Sequence, residues 1–234
     1  MVDLWKENIS YSPVVPFKEG EKRARKEIRH IVRDRTLAQV QIPSPRQSDG
    51  EALLTGNALG SPQMSLHEVG HYWWREPCIL DLRALYRTLG AEDSPRWLPY
   101  LFESALSTSA LPIPTLETEC ASGPLLSAIR SAIDLAATGL CIRVTFSELF
   151  EEEPADSLVG IALRMGLSVD DVVLIVDFSD ANLSESRQAQ NADILADFLP
   201  TVVEKASKFG SWKAVRGFSP LLRRVDILCQ AVRR

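Results

Sequence analysis

Residues 166–180 read GLSVDDVVLIVDFSD, and residues 140–149 read LCIRVTFSEL. In each, a short apolar run rich in β-branched residues ends on a polar side chain, and a turn or a helix start follows. Val172–Asp177 lacks the alternation of a half-exposed strand, so it reads as a strand covered on both faces. Gly139–Thr145 reads the same way, and Thr145 and Glu148 have the spacing of a capping box, so a helix is expected directly after it. Strand, turn, helix, strand is the signature of a parallel sheet with crossover helices.

Working outward, the same type of run recurs at Tyr11–Pro16, Leu37–Ile42, Cys78–Leu82, Leu111–Leu116 and Ser211–Gly217. With the first two, that makes seven strands, whose starts lie 26 to 41 residues apart. Such a spacing holds one strand and one helix. The pattern predicts an α/β fold of (β/α)8-like barrel type, incomplete, with the eighth strand missing. An open doubly wound sheet is the alternative, although neither GxGxxG nor GxxxxGK[ST] occurs in the chain.

The 234 residues suit a single barrel-like domain over residues 1–234. Residues 43–62 read as a long polar loop and residues 221–234 as a terminal helix. Ala24, Ile28, Ile31 and Val32 fall at helical spacing and are expected to face the core, with Lys22, Arg23, Arg25, Lys26 and Arg29 directed away. Leu125, Leu126, Ile129, Ile133 and Leu135 form a second stripe after the Ser122-Gly123-Pro124 break. Asn182 to Lys208 reads as a long helix that Pro200 should kink or divide.

Apolar residues make up 45% of the chain and charged residues 24%, proportions of a folded globular protein. No apolar run is long enough for a bilayer, and no apolar segment follows the charged first residues, so a cytoplasmic protein without a membrane span is expected. Four cysteines, Cys78, Cys120, Cys141 and Cys229, lack zinc-type pairing and are read as reduced. The net charge of -5 conceals two basic stretches, residues 18–36 with eight Lys/Arg against four Asp/Glu and residues 213–234 with six against one. Outward helix faces account for such stretches, and nucleic acid is not the expected partner. Trp73, Trp74, Trp97 and Tyr100 are read as core packing in preference to a base-stacking platform.

The order of these pieces resembles the beta protein family of bacteriophages and bacteria. The resemblance rests on YSPVVPFKEGE, WWREPCILDL, LPIPTLE, LCIRVTFSEL, GLSVDDVVLIVDFSD and SWKAVRGFSP, which together span most of the chain. It implies a barrel fold in a phage or mobile-element setting, and no particular activity. It places Lys18, Gly20 and Glu21 on a Lys-x-Gly-Glu turn, and Asp81, Arg143 and Asp177 on strands. Gln41 stands where the family more often has Glu, the order Phe218-Ser219-Pro220 replaces Ser-Phe-Pro, and a last strand with a Gly-Asp-Tyr-type motif is missing.

In a barrel, side chains at the carboxyl ends of the strands converge on one face. Lys18, Glu21, Asp81, Arg143 and Asp177 are therefore the ligand-binding candidates, with Gln41, Glu117 and Ser219 at equivalent positions. They suit an unidentified ligand, an anionic one among the options, and an Arg between two Asp residues also suits a closed salt-bridge network. One other pattern competes. His67-Glu68-Val69-Gly70-His71 has HExxH spacing, which on a helix puts two imidazoles on one face for zinc with Glu68 as base. Gly70, Pro62 and Pro77 shorten that helix, so the expectation is no cofactor, with zinc as the alternative. A non-catalytic protein that meets a host protein, or its own copy, through the basic helix or an open barrel edge is the third reading.

Overall fold

The computed structural model of the protein describes residues 12–33, 35–44, 67–73, 75–168, 171–178 and 185–207. In chain order the elements are β1 (Val14–Pro16), α1 (Glu19–Glu27), α2 (His30–Arg33), β2 (Gln39–Gln41), α3 (His67–Tyr72), β3 (Pro77–Asp81) and α4 (Arg83–Leu89). They continue with α5 (Ser94–Leu106), β4 (Leu111–Glu117), α6 (Gly123–Ala136), β5 (Leu140–Thr145), α7 (Pro154–Arg164), β6 (Val172–Asp177) and α8 (Glu185–Ser207). Two 3-10 turns, Thr118–Cys120 and Ser147–Phe150, follow β4 and β5. The expected seventh strand at Ser211–Gly217, the helix at 221–234 and nearly all of the loop at 43–62 lie outside the described residues.

All six strands are parallel, and their spatial order is their chain order, β1 to β6. This decides between the two architectures. A doubly wound sheet reverses direction at a switch point, whereas winding in one direction throughout places every crossover on the same face. The sheet is therefore a half-barrel, and the doubly wound alternative is set aside. Two separate apolar clusters agree with this. Ile79, Ile113, Cys141 and Ile175 from the strands, with Leu37 from just before β2 and Val173 against them, make a cluster without helix residues on the concave side. On the convex side Val40, Leu80, Leu116, Ile142, Val144 and Val176 pack with helix residues such as Leu85, Phe102, Ile129 and Leu158.

Curvature can be read from one hydrogen bond. Strands three places apart in a flat sheet stand about 14 Å from each other. Arg143 on β5 nevertheless donates from Nη2 to Gln39 Oε1 on β2 at 3.0 Å. Their side chains meet because the sheet bends around the concave cluster.

Local structure departs from expectation in three places. The stripe Ile28, Ile31 and Val32 is exposed, at 36%, 58% and 48%, and α1 buries Lys22 and Arg25 instead. The backbone leaves the helix at Ile28, with φ -67° and ψ 127°, which rotates the following residues off the helix face. The inward cations have aromatic and acidic partners. Lys22 stands 4.3 Å from the Phe17 ring centroid and Arg25 5.8 Å from that of Trp73, and they pair with Glu68 and Glu76 respectively. Second, α8 passes through Pro200 as one helix; Pro200 and Ala196, whose carbonyl loses its partner there, are both exposed, so water can satisfy it. Third, Glu148 does reach back to the Thr145 N–H at 2.6 Å, but the turn it caps is 3-10, and α7 begins only at Pro154.

Elsewhere the expected elements form. Ser122 caps α6, accepting from Leu125 N–H at 3.5 Å, and Leu125, Ile129 and Ile133 are buried beneath it, while Leu135 is exposed. Cys78 and Cys141 are buried free thiols, and burial pushes each up to about 12, so neither supplies a thiolate near neutral pH. Among the described residues no helix is long and apolar enough to cross a membrane.

Gly139 lies where the chain before β5 crosses the turn before β6. A Cβ there would stand 2.1 Å from the Asp171 carbonyl oxygen, a backbone atom that cannot rotate away. Gly139→Ala is expected to lower the unfolding free energy by about 2 kcal/mol or more. Gly20→Ala in α1, with nothing within 4 Å, should be neutral or slightly stabilising. Urea unfolding of the two variants beside the parent checks both.

Candidate functional site

The concave face changes character along the strands. Two residues beyond Leu37, Ile79, Ile113, Cys141 and Ile175 stand Gln39, Asp81, Thr115, Arg143 and Asp177, which share their face because strand side chains alternate. The register is staggered, with Gln41 opposite Asp81, Glu117 opposite Arg143 and Thr145 opposite Asp177, so Gln39 and Thr115 stand level with the apolar Ile79 and Cys141 of the next strand. A polar layer thus lies on an apolar one, at the carboxyl ends of the strands.

Arg143 is the inner pole of this layer and is 5% exposed. Its Nη1 donates to Asp177 Oδ2 at 3.1 Å, its Nη2 donates to Gln39, and Asp81 Oδ2 lies 3.5 Å from Nη2. Among the described residues its Nε has no hydrogen-bond partner. Arg83, at the start of α4, is the outer pole, with its side chain 25% exposed. It grips Asp81 with Nε at 3.0 Å and Nη2 at 2.8 Å, and reaches Asp177 Oδ2 with Nη1 at 3.1 Å. Two arginines thus clamp two aspartates contributed by β3 and β6.

Burial alone would push the Asp81 carboxyl up, but the hydrogen bond from Arg83 and the charges of Arg143 and Arg83 outweigh it and hold the group below the usual carboxylate range. Arg83 is held above its ordinary value: burial pulls it down, and the hydrogen bond and charge of Asp81, helped by Asp177 and Glu117, more than offset this. Glu117, at the end of β4, behaves oppositely. Burial raises it, and Arg83 and Arg143 only partly oppose that. Its Oε1 is 3.7 Å from Arg83 Nε, too long for a hydrogen bond.

Neighbouring turns hold the rim in place. Glu148 accepts from Thr118 Oγ1 and from Thr145 Oγ1, tying the ends of β4 and β5 together. Tyr86 Oη donates to the Thr115 carbonyl at 2.9 Å and so fixes α4, which carries Arg83, against β4.

Of the five residues expected at the mouth, the structure brings together Asp81, Arg143 and Asp177. Lys18 and Glu21 stand just past β1 at the same end of the sheet; Lys18 is exposed, and no hydrogen bond or ion pair among the described residues links either to the three. Gln41 and Glu117 occupy strand ends beside them, and Ser219 lies outside the described residues. Sequence reasoning missed Arg83 and Gln39. Arg83 carried a signal in Asp81-Leu82-Arg83, an Arg two residues past a strand-end Asp, and Gln39 carried one in the Gln39-Val40-Gln41 alternation within an apolar run.

The HExxH residues form part of the six-residue α3. Glu68 is paired with Lys22, His71 is exposed with its ring edge-on to Tyr72 at 5.0 Å, and Val69 and Trp73 are buried. Gly70 faces Thr108, whose Oγ1 would lie 1.8 Å from a Cβ, so α3 docks closely on the end of α5. The side chain of His67 is outside the described set. Among the described residues, one group of three side chains offers metal-type donors within 4.8 Å of one another, namely Glu117, Glu119 and Cys120. Burial and the nearby carboxylates raise the Cys120 thiol, which works against the thiolate an ion requires, and we assign no ion there. Trp73 and Trp97 are buried and present no face for a base, and Trp74 is outside the described residues.

These features define a class: a parallel α/β half-barrel with a charged, arginine-clamped mouth at the carboxyl ends of its strands. A family model described as Beta protein matches residues 11–212. The chain belongs to the Beta protein family. No curated protein and no solved structure matches it.

Asp81 is buried and ionised between two cations, so replacing it leaves both arginines short of an acceptor. Asp81→Asn is expected to cost about 3 kcal/mol near neutral pH. Because the folded value lies below the unfolded one, this advantage is fully present above about pH 4 and shrinks as the pH falls through the folded value. Urea unfolding of parent and variant across that range checks both the size and the sign.

Proposed function

We propose that the mouth of the half-barrel binds a small ligand through an oxyanion group, with Arg83 as the recognition residue. The observation that carries the reading is how the Arg83 guanidinium is used. An arginine has five N–H donors, and three of these are directed to Asp81 and Asp177. The remaining two have no partner among the described residues and, unlike the buried unpartnered Nε of Arg143, they sit on a side chain one quarter exposed. A guanidinium held in one orientation by carboxylates is well prepared for a second, planar acceptor such as a carboxylate or phosphate. Arg143, buried beneath it, serves as the support.

The position favours the same reading, since ligands of barrel folds bind at the carboxyl ends of the strands. A phage or mobile-element setting is part of the proposal and rests on family membership. A zinc-dependent reaction at His67, Glu68 and His71 finds less support, because Glu68 is engaged by Lys22 on the other side of the helix pair.

One observation favours a second reading, a protein that works by contact. Ile28, Ile31 and Val32 form an exposed apolar patch next to exposed Arg23 and Lys26. If the patch mediates self-association, sedimentation velocity will show a concentration-dependent shift that Ile31→Glu abolishes.

For the leading reading the test is a thermal-shift titration with inorganic phosphate, sulfate and a panel of phosphosugars and carboxylates. The parent is expected to rise in Tm with at least one oxyanion. Arg83→Ala should lose that rise while remaining folded by circular dichroism. A parent that responds to none of the panel overturns the reading.

A further inference from the structure

The ion pairs at the mouth do not match one to one. Among the described residues two guanidinium groups, Arg83 and Arg143, make ion pairs with three carboxyl groups, Asp81, Asp177 and Glu117. Asp81 and Asp177 each lie within 3.5 Å of both arginines and offset them. Glu117 is the surplus group. It is 9% exposed, its Oε1 is 3.7 Å from Arg83 Nε, and among the described residues its Oε2 meets the Cys120 Sγ, at 4.0 Å.

The groups that face Glu117 come from four directions. Arg83, Arg87 and the Tyr86 hydroxyl come from α4, Arg143 from β5, Glu119 and Cys120 from the 3-10 turn after β4, and Asp81 through its clamp on Arg83 from β3. The three arginines favour the ionised carboxylate. Burial and Glu119 favour the carboxylic acid, and they prevail.

Glu117 Oε1 lies 3.7 Å from Nε of the same guanidinium, so an oxyanion seated on the two available N–H groups of Arg83 would lie within the field of this carboxyl. An ionised Glu117 would repel it, whereas a protonated Glu117 would donate a hydrogen bond to it. We infer that the mouth takes up an oxyanion and a proton together, the proton residing on Glu117, so that its ligands are carboxylates or phosphates held between an arginine and a carboxylic acid. The inference rests on the proposed role of Arg83 and adds a condition to it. The only bond change is a proton transfer: an O–H bond forms on Glu117 as a solvent or buffer acid gives up its proton, and the anion is held without covalent change. Affinity therefore rises as pH falls, and the residue responsible is an acid, not a histidine.

Sulfate is the suitable probe, because its own charge is constant over the useful range. Binding of sulfate to the full chain is measured by isothermal titration calorimetry from about pH 5 to about pH 8, with a slope approaching tenfold per pH unit where Glu117 is ionised in the free protein. Two buffers of different ionisation heat, used with the parent alone, should report uptake of about one proton per sulfate on that limb. Glu117→Gln, with a neutral donor in place of the acid, should flatten the pH profile, leaving sulfate affinity nearly constant. If the parent binds no sulfate at any pH, the Arg83 reading fails and this inference with it. If the parent binds sulfate without proton uptake, or if the slope survives in Glu117→Gln, the proton coupling is overturned while the role of Arg83 stands.

Discussion

A buried guanidinium must find acceptors, because leaving its charge unpaired in a low-dielectric interior costs several kcal/mol, of order 3 to 5 when a partner is lost. Arg143 is such a group, and its acceptors come from β2, β3 and β6. The requirement therefore acts across the sheet, drawing strands that are not neighbours toward one point. Below it, Leu37, Ile79, Ile113, Cys141 and Ile175 fill the space with apolar volume. The apolar layer supplies the favourable burial, and the polar layer restricts which curvature can satisfy it. Gln39 illustrates the constraint, since an amide 2% exposed on β2 would be costly without the Arg143 donor that reaches it from β5.

How much of this was legible from sequence depends on the range of the interaction that carries each feature. Val172–Asp177 was legible to the residue because a run of β-branched residues closed by Asp is a local signal. Asp81, Arg143 and Asp177 were legible as strand ends, and a barrel brings strand ends together whatever their separation in the chain. Arg83 was not, because it lies two residues beyond the strand, on α4, and its one local signal, an Arg following a strand-end Asp, does not say what else it pairs with. Its role depends on Asp177, 94 residues away. Lys18 and Glu21 were read both from the resemblance and as residues past a strand end; they stand just past β1, with no hydrogen bond or ion pair among the described residues to the other three.

The face of α1 was misread for a related reason. Helical periodicity ranks side chains by hydropathy, and by that measure Lys22 and Arg25 belong outside. Hydropathy takes no account of the aromatic rings opposite. Phe17, Tyr72 and Trp73 present π-faces to these cations, and Glu68 and Glu76 complete the pairing, so the charged side of α1 becomes its packing side. Burial and the neighbouring Arg33 lower Arg25 to about 10, which leaves it protonated at neutral pH. The same contacts bear on the HExxH pattern. Two histidines and a glutamate at helical spacing describe one helix only, whereas Glu68 has been recruited by a cation from another.

The two ion-pair networks sit at opposite ends of the strands, and they differ in how dry they are along their length. Glu76, just before β3, anchors Arg25 at the amino-terminal end, where barrels are built for stability. At the carboxyl end the pairing is graded, from Arg143 at 5% side-chain exposure to Arg83 at 25%. A dry pair is rigid and costly to disturb, whereas a partly wet one exchanges partners at little cost. Stacking the second on the first yields a guanidinium whose position is set from beneath and whose outer N–H groups are still hydrated. An anion arriving there displaces water without having to order the side chain, which is the part of binding that most often erodes affinity. A lysine at position 83 would carry the same charge but could not hold Asp81 through two nitrogens and still turn donors outward. The geometry thus requires arginine, and the same hold on Asp81 keeps that carboxyl ionised beneath the ligand's place.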